Sequence, residues 1–279
     1  MIRLAVRCRP ELAEQVLAEL VQLAPGGVEE EHGADHVEYA IYGAEGELPD
    51  LGDVEAVAGD ALIEVESTAV PDDWADRWRD FHRPILVGGR LWVRPSWESA
   101  SNDLRDEIDV VIDPGHAFGT GAHPTTRLCL ELLLELAAAG EASGALADLG
   151  TGSGVLAIAA AKLGWSPVVA CDHEPAAIEA AGVNSKANGV ELELRRVNLR
   201  AELPPFAPTL VANLTVPVLS AVAERLGALA AAQRPRRLIC SGLLAAEADA
   251  VSADMGEVGL DEAERRSEGD WLALLLRRD

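Results

Sequence analysis

The sequence predicts an α/β protein in which a small α+β domain precedes a larger domain built around a parallel sheet. Two observations lead to this fold class. Up to about residue 68, strand-like and helical patterns follow one another in the order βαββαβ, and from Ala145 onward strand patterns alternate with helical patterns. The first order is that of a ferredoxin-like sandwich, whereas strand–helix alternation produces a parallel sheet with helices on both faces.

The first domain is predicted to span residues 1–68. Its strands are expected where apolar and polar residues alternate, and its helices where apolar residues recur every three or four positions. In chain order the predicted elements are the strand Ile2–Cys8, the helix Pro10–Leu23, the strands Val28–His32 and Val37–Tyr42, the helix Asp50–Ala58 and the strand Ala61–Ser67. A linker helix with an apolar stripe of Trp74, Trp78 and Phe81 is predicted over residues 69–83.

The second domain is predicted to span residues 84–279. It begins with a hairpin, and a short strand at Val110–Ile112 leads into a glycine-rich loop. A surface turn is expected near Ala137–Ala145. The other predicted strands are Ile85–Val87, Arg90–Val93, Ala145–Leu149, Val168–Cys171, Leu192–Val197, Leu210–Leu214, Arg237–Ser241 and Trp271–Leu276, and the predicted helices are Val155–Leu163, Ala176–Asn188, Val216–Ala231 and Leu244–Asp254.

The composition is that of a globular protein, with 49% hydrophobic and 25% charged residues. No stretch approaches the ~20 apolar residues of a membrane span, and the N-terminus lacks the separate regions of a signal peptide. A cytoplasmic protein without a membrane partner is therefore expected. A monomer is also expected, although composition does not reveal the oligomeric state. The four cysteines show no CxxC spacing and the six histidines form no metal motif, so reduced thiols and no metal are expected.

The net charge of −24 is unevenly distributed along the chain. Residues 1–68 contain three basic and sixteen acidic residues, a net charge of −13. An acidic surface repels nucleic acid and attracts basic proteins. Two interpretations stay open, namely capture of a basic partner and generic solubility or adaptation to a salty environment.

The strongest local motif is DLGTGSG at residues 148–154, between a predicted strand and a predicted helix. Gly150, Gly152 and Gly154 let the backbone turn tightly and approach a ligand, and the helix that follows offers free N–H groups. Asp172 ends the next strand, 22 residues after Gly150. There its carboxylate can accept hydrogen bonds from both ribose hydroxyls of an adenosine.

Two adenosine cofactors match such a turn. The dinucleotide pattern GxGxxG would need glycine at position 155, where Val155 stands. S-adenosylmethionine has no pyrophosphate and carries a cationic sulfonium, which suits the acidic Asp148 before the glycines better. The alternative is a purely structural strand–helix turn.

Two other segments carry candidate site residues. Asp113–Thr126 forms a glycine-rich flap with an apolar Phe118; it lacks the GK[ST] of a P-loop, and its His123 is expected to be a hydrogen-bonded structural residue. Asn213 ends a strand, and ligands lie beyond the carboxyl ends of parallel strands. Its amide oxygen could accept a hydrogen bond from an attacking amine. The alternative for Asp113–Thr126 is an ordinary loop, and the alternative for Asn213 is a turn residue without a functional role.

These segments resemble the bacterial methyltransferases of large-subunit ribosomal protein eleven over nearly the whole chain. The resemblance is carried by IDPGHAFGTGAHPTTRLCLELL, ADLGTGSGVLAIAAAKLG, CDHEPAAIEAAGVNSKANGV and VANL, and further by DWADRWRDFHRPILVGGRLWVRPSW and GDWLALLL. The sequence departs from the family at His173-Glu174, where a second aspartate is usual, and at Asn213-Leu214, where Asn-Ile is common.

The resemblance implies a Rossmann-like class I methyltransferase domain preceded by a ferredoxin-like, substrate-recognising domain. S-adenosylmethionine would be the cofactor, and lysines or the N-terminal amine of a basic ribosomal protein the methyl acceptors. By the same resemblance, cofactor-binding positions are Thr126, Gly150, Asp172 and Asn213, with Phe118 in a loop over the cofactor.

The leading hypothesis is therefore a protein N-methyltransferase in which Asn213 orients the amine and no general base is needed. The alternatives are a methyltransferase of another protein, of RNA or of a small molecule, and a regulator that senses the cofactor without catalysis. The acidic surface disfavours RNA.

Overall fold

The computed structural model of the chain describes residues 2–13, 16–17, 20, 28–33, 35–43, 48–49, 51–69, 83–100, 107–113 and 121–278. Of these residues, those up to 69 belong to one compact unit and those from 83 onward belong to a second. The predicted linker helix with Trp74 and Trp78 lies outside the described residues, as does Phe118 of the predicted flap.

The N-terminal unit contains a four-stranded sheet in the order β2-β3-β1-β4, with every neighbouring pair antiparallel. The strands are β1 (Ile2–Cys8), β2 (Glu29–His32), β3 (Val37–Gly43) and β4 (Leu62–Ala69), and helix α1 (Leu51–Ala58) precedes β4. The four predicted strands and the second predicted helix are confirmed near their expected bounds. The first predicted helix begins as a 3-10 turn at Pro10–Leu12, and residues 13, 16, 17 and 20 are helical.

One side of this sheet is apolar and the other is charged, because successive residues of a strand point to opposite faces. Leu4, Val6 and Tyr39 belong to the core. The opposite side carries five glutamates and two arginines and is called the glutamate face: Glu29, Glu31, Glu38, Glu64, Glu66, Arg3 and Arg7.

Glu38 is the buried member of the glutamate face, only 7% exposed. Arg7 donates to its Oε2 at 2.6 Å, and Arg3 also donates to the carboxylate. Burial alone would raise the pKa of Glu38, but the two guanidinium groups outweigh it and hold the pKa below its ordinary value. Glu64 and Glu66 are half-exposed and both approach Arg7, so the face keeps an excess of negative charge.

The C-terminal unit is built on a seven-stranded sheet in the order β10-β9-β8-β11-β12-β14-β13. The first five of these strands are parallel, β14 is antiparallel to β12, and β13 is antiparallel to β14. Its strands are β8 (Leu146–Leu149), β9 (Val168–Asp172), β10 (Glu193–Arg196), β11 (Thr209–Asn213), β12 (Arg237–Leu244), β13 (Asp261–Glu268) and β14 (Trp271–Arg277). A smaller sheet holds β5 (Ile85–Val87), β6 (Leu91–Arg94) and β7 (Ile108–Val111), of which β5 and β6 form the predicted hairpin.

Helices cover both faces of the large sheet, as the strand–helix alternation predicts. They are α2 (Pro124–Ala138), α3 (Val155–Leu163), α4 (Pro175–Ala187), α5 (Val216–Gly227) and α6 (Ala248–Glu257). Leu146 of β8 packs in one core with α2 and α3, whereas its neighbour Ala147 packs in the other with α5 and α6. The parallel Rossmann-like sheet predicted from the sequence is therefore present.

Two elements of this unit were missed, and two predictions were wrong. No helix was predicted at α2, yet nine of its residues are buried, because it crosses the sheet and packs on most of its circumference. The terminal strand is antiparallel, and β13 was missed since its alternating charged residues belong to an exposed edge. Helix α6 begins later than the predicted Leu244, because Leu243 and Leu244 pair with β14.

All four cysteines are buried and free, as expected from their scatter. Within the described part of the chain, no helix is long and apolar enough to cross a membrane. The same residues contain no group of three or more His, Cys, Asp or Glu side chains that could hold a metal ion.

Candidate functional site

The glycine-rich turn follows β8 at the carboxyl edge of the sheet. The backbone N–H groups of Gly150 and Thr151 donate to the carbonyl oxygen of Cys171 at 2.8 and 2.9 Å. Gly150 and Gly154 have φ values of +73° and +86°, a region that side chains with a Cβ rarely adopt. Strand β9 lies on one side of β8 and β11 on the other, so the strand order reverses at β8. Ligands of such sheets usually bind at the carboxyl ends of the strands where this reversal occurs.

Replacing Gly150 with alanine is expected to destabilise the fold by about 2–4 kcal/mol, since the positive φ costs about 1–2 kcal/mol and overpacking adds a similar amount. A Cβ at Gly150 would overlap Cδ2 of Leu214. Gly140→Ala is the matched control, because Gly140 has φ +77° but open space around the added atom. Urea unfolding should separate the two variants; equal losses would show that the close approach to Leu214 has no energetic role.

Asp172 lies beside this turn at the end of β9. Its Oδ2 accepts a hydrogen bond from the Gly152 N–H at 3.0 Å, and its Oδ1 accepts one from the Glu174 N–H at 3.1 Å. The side chain is 11% exposed. Two backbone donors thus fix a carboxylate at the rim of the turn, as its position in the sequence predicts. The neighbouring His173 is exposed, with Nδ1 3.2 Å from Asp172 Oδ1.

Asp148 lies beneath the turn and is fully buried. Its Oδ2 accepts hydrogen bonds from the Thr151 hydroxyl at 2.7 Å and the Ala157 N–H at 3.1 Å, so it links the turn to the first residues of α3. Its Oδ1 has no hydrogen-bond partner among the described residues. Burial raises the pKa of Asp148 to about 7; the two donors lower it partly, and the charge of Asp172 raises it further. The carboxyl group therefore titrates near neutral pH.

Asn213 ends β11 on the other side of the turn. Ala212 pairs with Leu149 in the parallel register, which places Asn213 level with the start of the turn. The Asn213 side-chain amide donates to the hydroxyls of Thr125 at 3.0 Å and Thr126 at 3.2 Å. No described residue donates to its Oδ1, so this oxygen remains an available acceptor.

Both threonines are almost fully buried in the first turn of α2. His123 caps this helix, and its Nδ1 lies 2.8 Å from the Thr125 hydroxyl and 3.4 Å from the Thr125 N–H. The His123 ring also contacts Trp271 edge-on at 4.8 Å. Burial lowers the pKa of His123, the Arg127 cation lowers it further, and Glu268 opposes them. His123 is thus a structural residue, as the sequence analysis expects.

Asn184 of α4 and Asn188, the C-cap residue of that helix, connect the turn to the start of the predicted flap. Asn184 donates to the Ser153 carbonyl at 2.8 Å and accepts from the Asp113 N–H at 3.2 Å. Asn188 bonds both the N–H and the carbonyl oxygen of Val111, at 2.9 and 2.6 Å. The sequence analysis missed both residues. Asn188 follows Asn184 by four positions, so both side chains lie on the same side of the helix, and asparagine is unfavourable inside helices. This spacing is the signal that could have identified them.

The structure therefore brings most of the predicted site residues to one edge of the sheet: Asp148, Gly150, Gly152, Gly154, Asp172, Asn213 and Thr126. Phe118 lies outside the described residues. Thr125 joins this group although no local sequence pattern selects it. The arrangement combines a glycine turn, a buried acid, a rim carboxylate and an amide with a free oxygen.

Comparison with known proteins gives a consistent family relationship. A model of the ribosomal protein L11 methyltransferase (PrmA) family matches residues 39–279. The ribosomal protein L11 methyltransferase of Pelotomaculum thermopropionicum is 43% identical over 216 residues, which cover 75% of this chain and 67% of the relative. That of Symbiobacterium thermophilum is 37% identical over 246 residues, covering 82% of this chain and 79% of the relative.

A solved structure is similar as well. The crystal structure of the ribosomal protein L11 methylase from Lactobacillus delbrueckii subsp. bulgaricus superposes with a TM-score of 0.63 at 29% sequence identity. The match covers 71% of this chain and all of the other. The similarity therefore extends from the sequence to the arrangement of the strands and helices.

Proposed function

Because the chain belongs to the ribosomal protein L11 methyltransferase family, we propose that it methylates lysine side chains or the N-terminal amine of ribosomal protein L11. Its cofactor is S-adenosylmethionine. The observation that carries the proposal is the pair of hydrogen bonds from the Asn213 side-chain amide to the α2 threonines beside the glycine turn. These bonds leave the Asn213 Oδ1 available as an acceptor at the place where we propose that cofactor and amine meet. Transfer of labelled methyl groups from the cofactor to purified L11 tests it.

The residues at the turn fit this cofactor. Val155 stands where a pyrophosphate-binding turn needs its third glycine, which favours this cofactor over a dinucleotide. The unpartnered, buried Oδ1 of Asp148 favours a cationic ligand nearby. We propose that Asp172 accepts hydrogen bonds from the ribose hydroxyls, and that Thr126, the three glycines, Asn213 and Phe118 complete the cofactor site.

When bound, S-adenosylmethionine supplies a methyl group on a sulfonium, which is a good leaving group. The chain's own residues then need to align and desolvate the incoming amine. We propose that the Asn213 Oδ1 accepts a hydrogen bond from that amine, while the threonine hydroxyls hold the Asn213 amide in place. Asn213 is thus the catalytic residue of the proposal, and no general base is assigned.

The protonation state of the amine sets the cost of this reaction. A lysine with a pKa near 10.4 must lose a proton at pH 7 at a cost of roughly 4.6 kcal/mol, whereas an α-amine near 7.7–8.0 costs only about 1 kcal/mol. Burial and a neighbouring cation both lower the pKa of an amine. A desolvating site beside a sulfonium therefore reduces the cost without a dedicated base.

Asn213→Ala is expected to lower the turnover number about fivefold, since one hydrogen bond of about 1 kcal/mol would be lost mainly in the transition state. The dissociation constant of the cofactor, measured by calorimetry, should change less. Asn213→Asp keeps the acceptor oxygens and serves as the matched variant. If Asn213→Ala bound the cofactor poorly yet kept its turnover number, Asn213 would be a binding residue only.

Cofactor affinity is expected to fall by a few-fold as the pH drops from 8 to 6, because the pKa of Asp148 is about 7. Above pH 7 the carboxylate is ionised and attracts the cationic cofactor, and below pH 7 it is neutral and this attraction is lost. Calorimetry across this range should show the change, with proton release on binding near pH 6.5. Asp148→Asn should bind with little pH dependence; an unchanged pH profile in that variant would assign the effect to another group.

We propose that residues 1–68 form a ferredoxin-like substrate-recognition domain, that residues 69–83 form a linker helix, and that residues 84–279 form the catalytic domain. The strand order β2-β3-β1-β4 and the antiparallel pairing support the first assignment. The excess of glutamates on the glutamate face suits a basic protein and disfavours direct contact with nucleic acid. The substrate class also supports our proposal that the protein acts in the cytoplasm, and we further propose that it is a monomer.

A further inference from the structure

An apolar groove lies in the C-terminal unit at the edge of the sheet opposite the glycine turn. It has a volume of about 190 Å³, and we call it the arginine groove after its border; its lining includes Leu203, Pro205, Phe206, Leu226, Leu229 and Pro235. Leu203 and Phe206 are 51% and 65% exposed, which is unusual for side chains of this size. Strand β11 begins next to the groove and ends at the candidate site, about 13 Å further along for a five-residue strand.

The border of the groove is basic although the chain is strongly acidic. Residues 195–237 contain seven arginines and two glutamates, in a chain whose net charge is −24. Five arginines lie near the lining residues. Arg200, Arg225, Arg234 and Arg236 are within three positions of a lining residue in the sequence, and the Arg278 N–H donates to the carbonyl oxygen of Arg236. Within the described ranges none of the five forms an ion pair, whereas nearby Arg195, Arg237 and Arg277 each pair with a glutamate.

The side chains of Arg225, Arg234 and Arg278 donate to backbone oxygens rather than to carboxylates. Arg234 donates to the carbonyls of Gly227, Leu229 and Val258 at 3.0–3.1 Å, and Arg225 donates to that of Arg200 at 3.0 Å. The Arg225 Nε is buried without a described acceptor. Backbone oxygens therefore hold Arg225 and Arg234 in place, and neither forms an ion pair with a described carboxylate.

From this pairing of an apolar floor with a basic border, we infer that the arginine groove docks an acidic, amphipathic segment of a partner protein. Apolar side chains of the segment would cover the exposed Phe206 and Leu203, and its carboxylates would lie against the arginine border. Charge complementarity of this kind acts locally, since charges farther away than about 8 Å are screened at physiological salt. A phosphate backbone would leave the apolar floor uncovered, so the observations favour a peptide over nucleic acid.

Fluorescence anisotropy on the full-length chain tests the inference at about 0.15 M salt. The probe is a fluorescein-labelled peptide of about twelve residues that alternates glutamate pairs with leucine and phenylalanine, and its control peptide has serine at the apolar positions. Phe206→Ser should weaken binding of the first peptide about tenfold, because an exposed apolar contact is lost. Arg236→Glu should weaken it about fivefold. Arg90→Glu, an exposed arginine outside the groove, should change it less than twofold.

Saturable binding of the acidic apolar peptide with that order of variants supports the inference. Four results would overturn it. The peptide could show no saturable binding, or bind all variants and the serine control equally. A labelled single-stranded RNA of similar length could bind more tightly with the same dependence on Arg236, which would assign the groove to nucleic acid. Sedimentation of the chain alone could show a dimer abolished by Arg236→Glu, which would make a second copy the occupant.

Discussion

Asp172→Ala is expected to raise the dissociation constant of S-adenosylmethionine roughly 10- to 150-fold. The ribose hydroxyls would lose a charged acceptor, and hydrogen bonds to charged groups contribute about 1.5–3 kcal/mol. The carboxylate is already oriented by the Gly152 and Glu174 N–H groups, so little of this energy is spent on ordering it. Isothermal titration calorimetry of the purified variant measures the change directly.

Two controls separate loss of the ligand contact from damage to the turn. Asp172→Asn keeps the shape and one acceptor oxygen, and should fall between the wild type and the alanine variant. Asp261→Ala removes an exposed carboxylate at the start of β13 and should leave affinity unchanged. A folded Asp172→Ala protein that binds the cofactor as tightly as the wild type would remove Asp172 from the site.

A chain that begins at Asp72 is expected to bind S-adenosylmethionine within about twofold of the full-length protein, yet to methylate L11 with a kcat/KM lower by about 100-fold or more. The reason is that binding energy from parts of the substrate remote from the reacting amine contributes to catalysis. The removed residues carry a net charge of −13 over positions 1–68. Steady-state kinetics with L11, alongside calorimetry with the cofactor, measures both quantities.

The intact chain offers a second form of this experiment. Replacing Glu29, Glu31, Glu64 and Glu66 with glutamine removes charge from the glutamate face without deleting a strand. The KM for L11 should rise, and its salt dependence should weaken, because the screening length falls from ~10 Å at 0.1 M to ~3 Å at 1 M salt. Full activity of the shortened chain on intact L11 would show that residues 1–68 do not recognise the substrate, and their acidity would then serve solubility.

The parts of the site that the sequence predicts are those defined by short stretches of chain. Asp148 and the glycines fall within seven residues, and Asp172 ends the very next strand, so a strand–turn–helix pattern suffices to bring them together. The same holds for the parallel sheet, whose buried strands read as apolar runs between helices. Asn213 was placed at the correct edge because parallel strands all end there.

The parts that sequence reasoning missed depend on contacts between distant residues. Thr125 meets Asn213 across 88 positions, and no local pattern indicates that contact. Helix α2 is buried around most of its surface, so it lacks the polar stripe that marks a surface helix. Strand β13, in contrast, is charged and largely exposed. Its pairing with β14 stabilises it rather than burial of apolar side chains, so it lacks the apolar pattern of a strand.

The central claim is that this chain transfers methyl groups from S-adenosylmethionine to amines of ribosomal protein L11. Intact-mass spectrometry of purified L11, incubated with the full-length chain and the cofactor, tests it most directly. The expected result is a mass gain of whole methylene units that requires both components, is lost with Asp172→Ala at limiting cofactor, and maps by fragmentation to lysines or the N-terminus. An unchanged mass of L11 in the presence of active, cofactor-binding protein would contradict the claim.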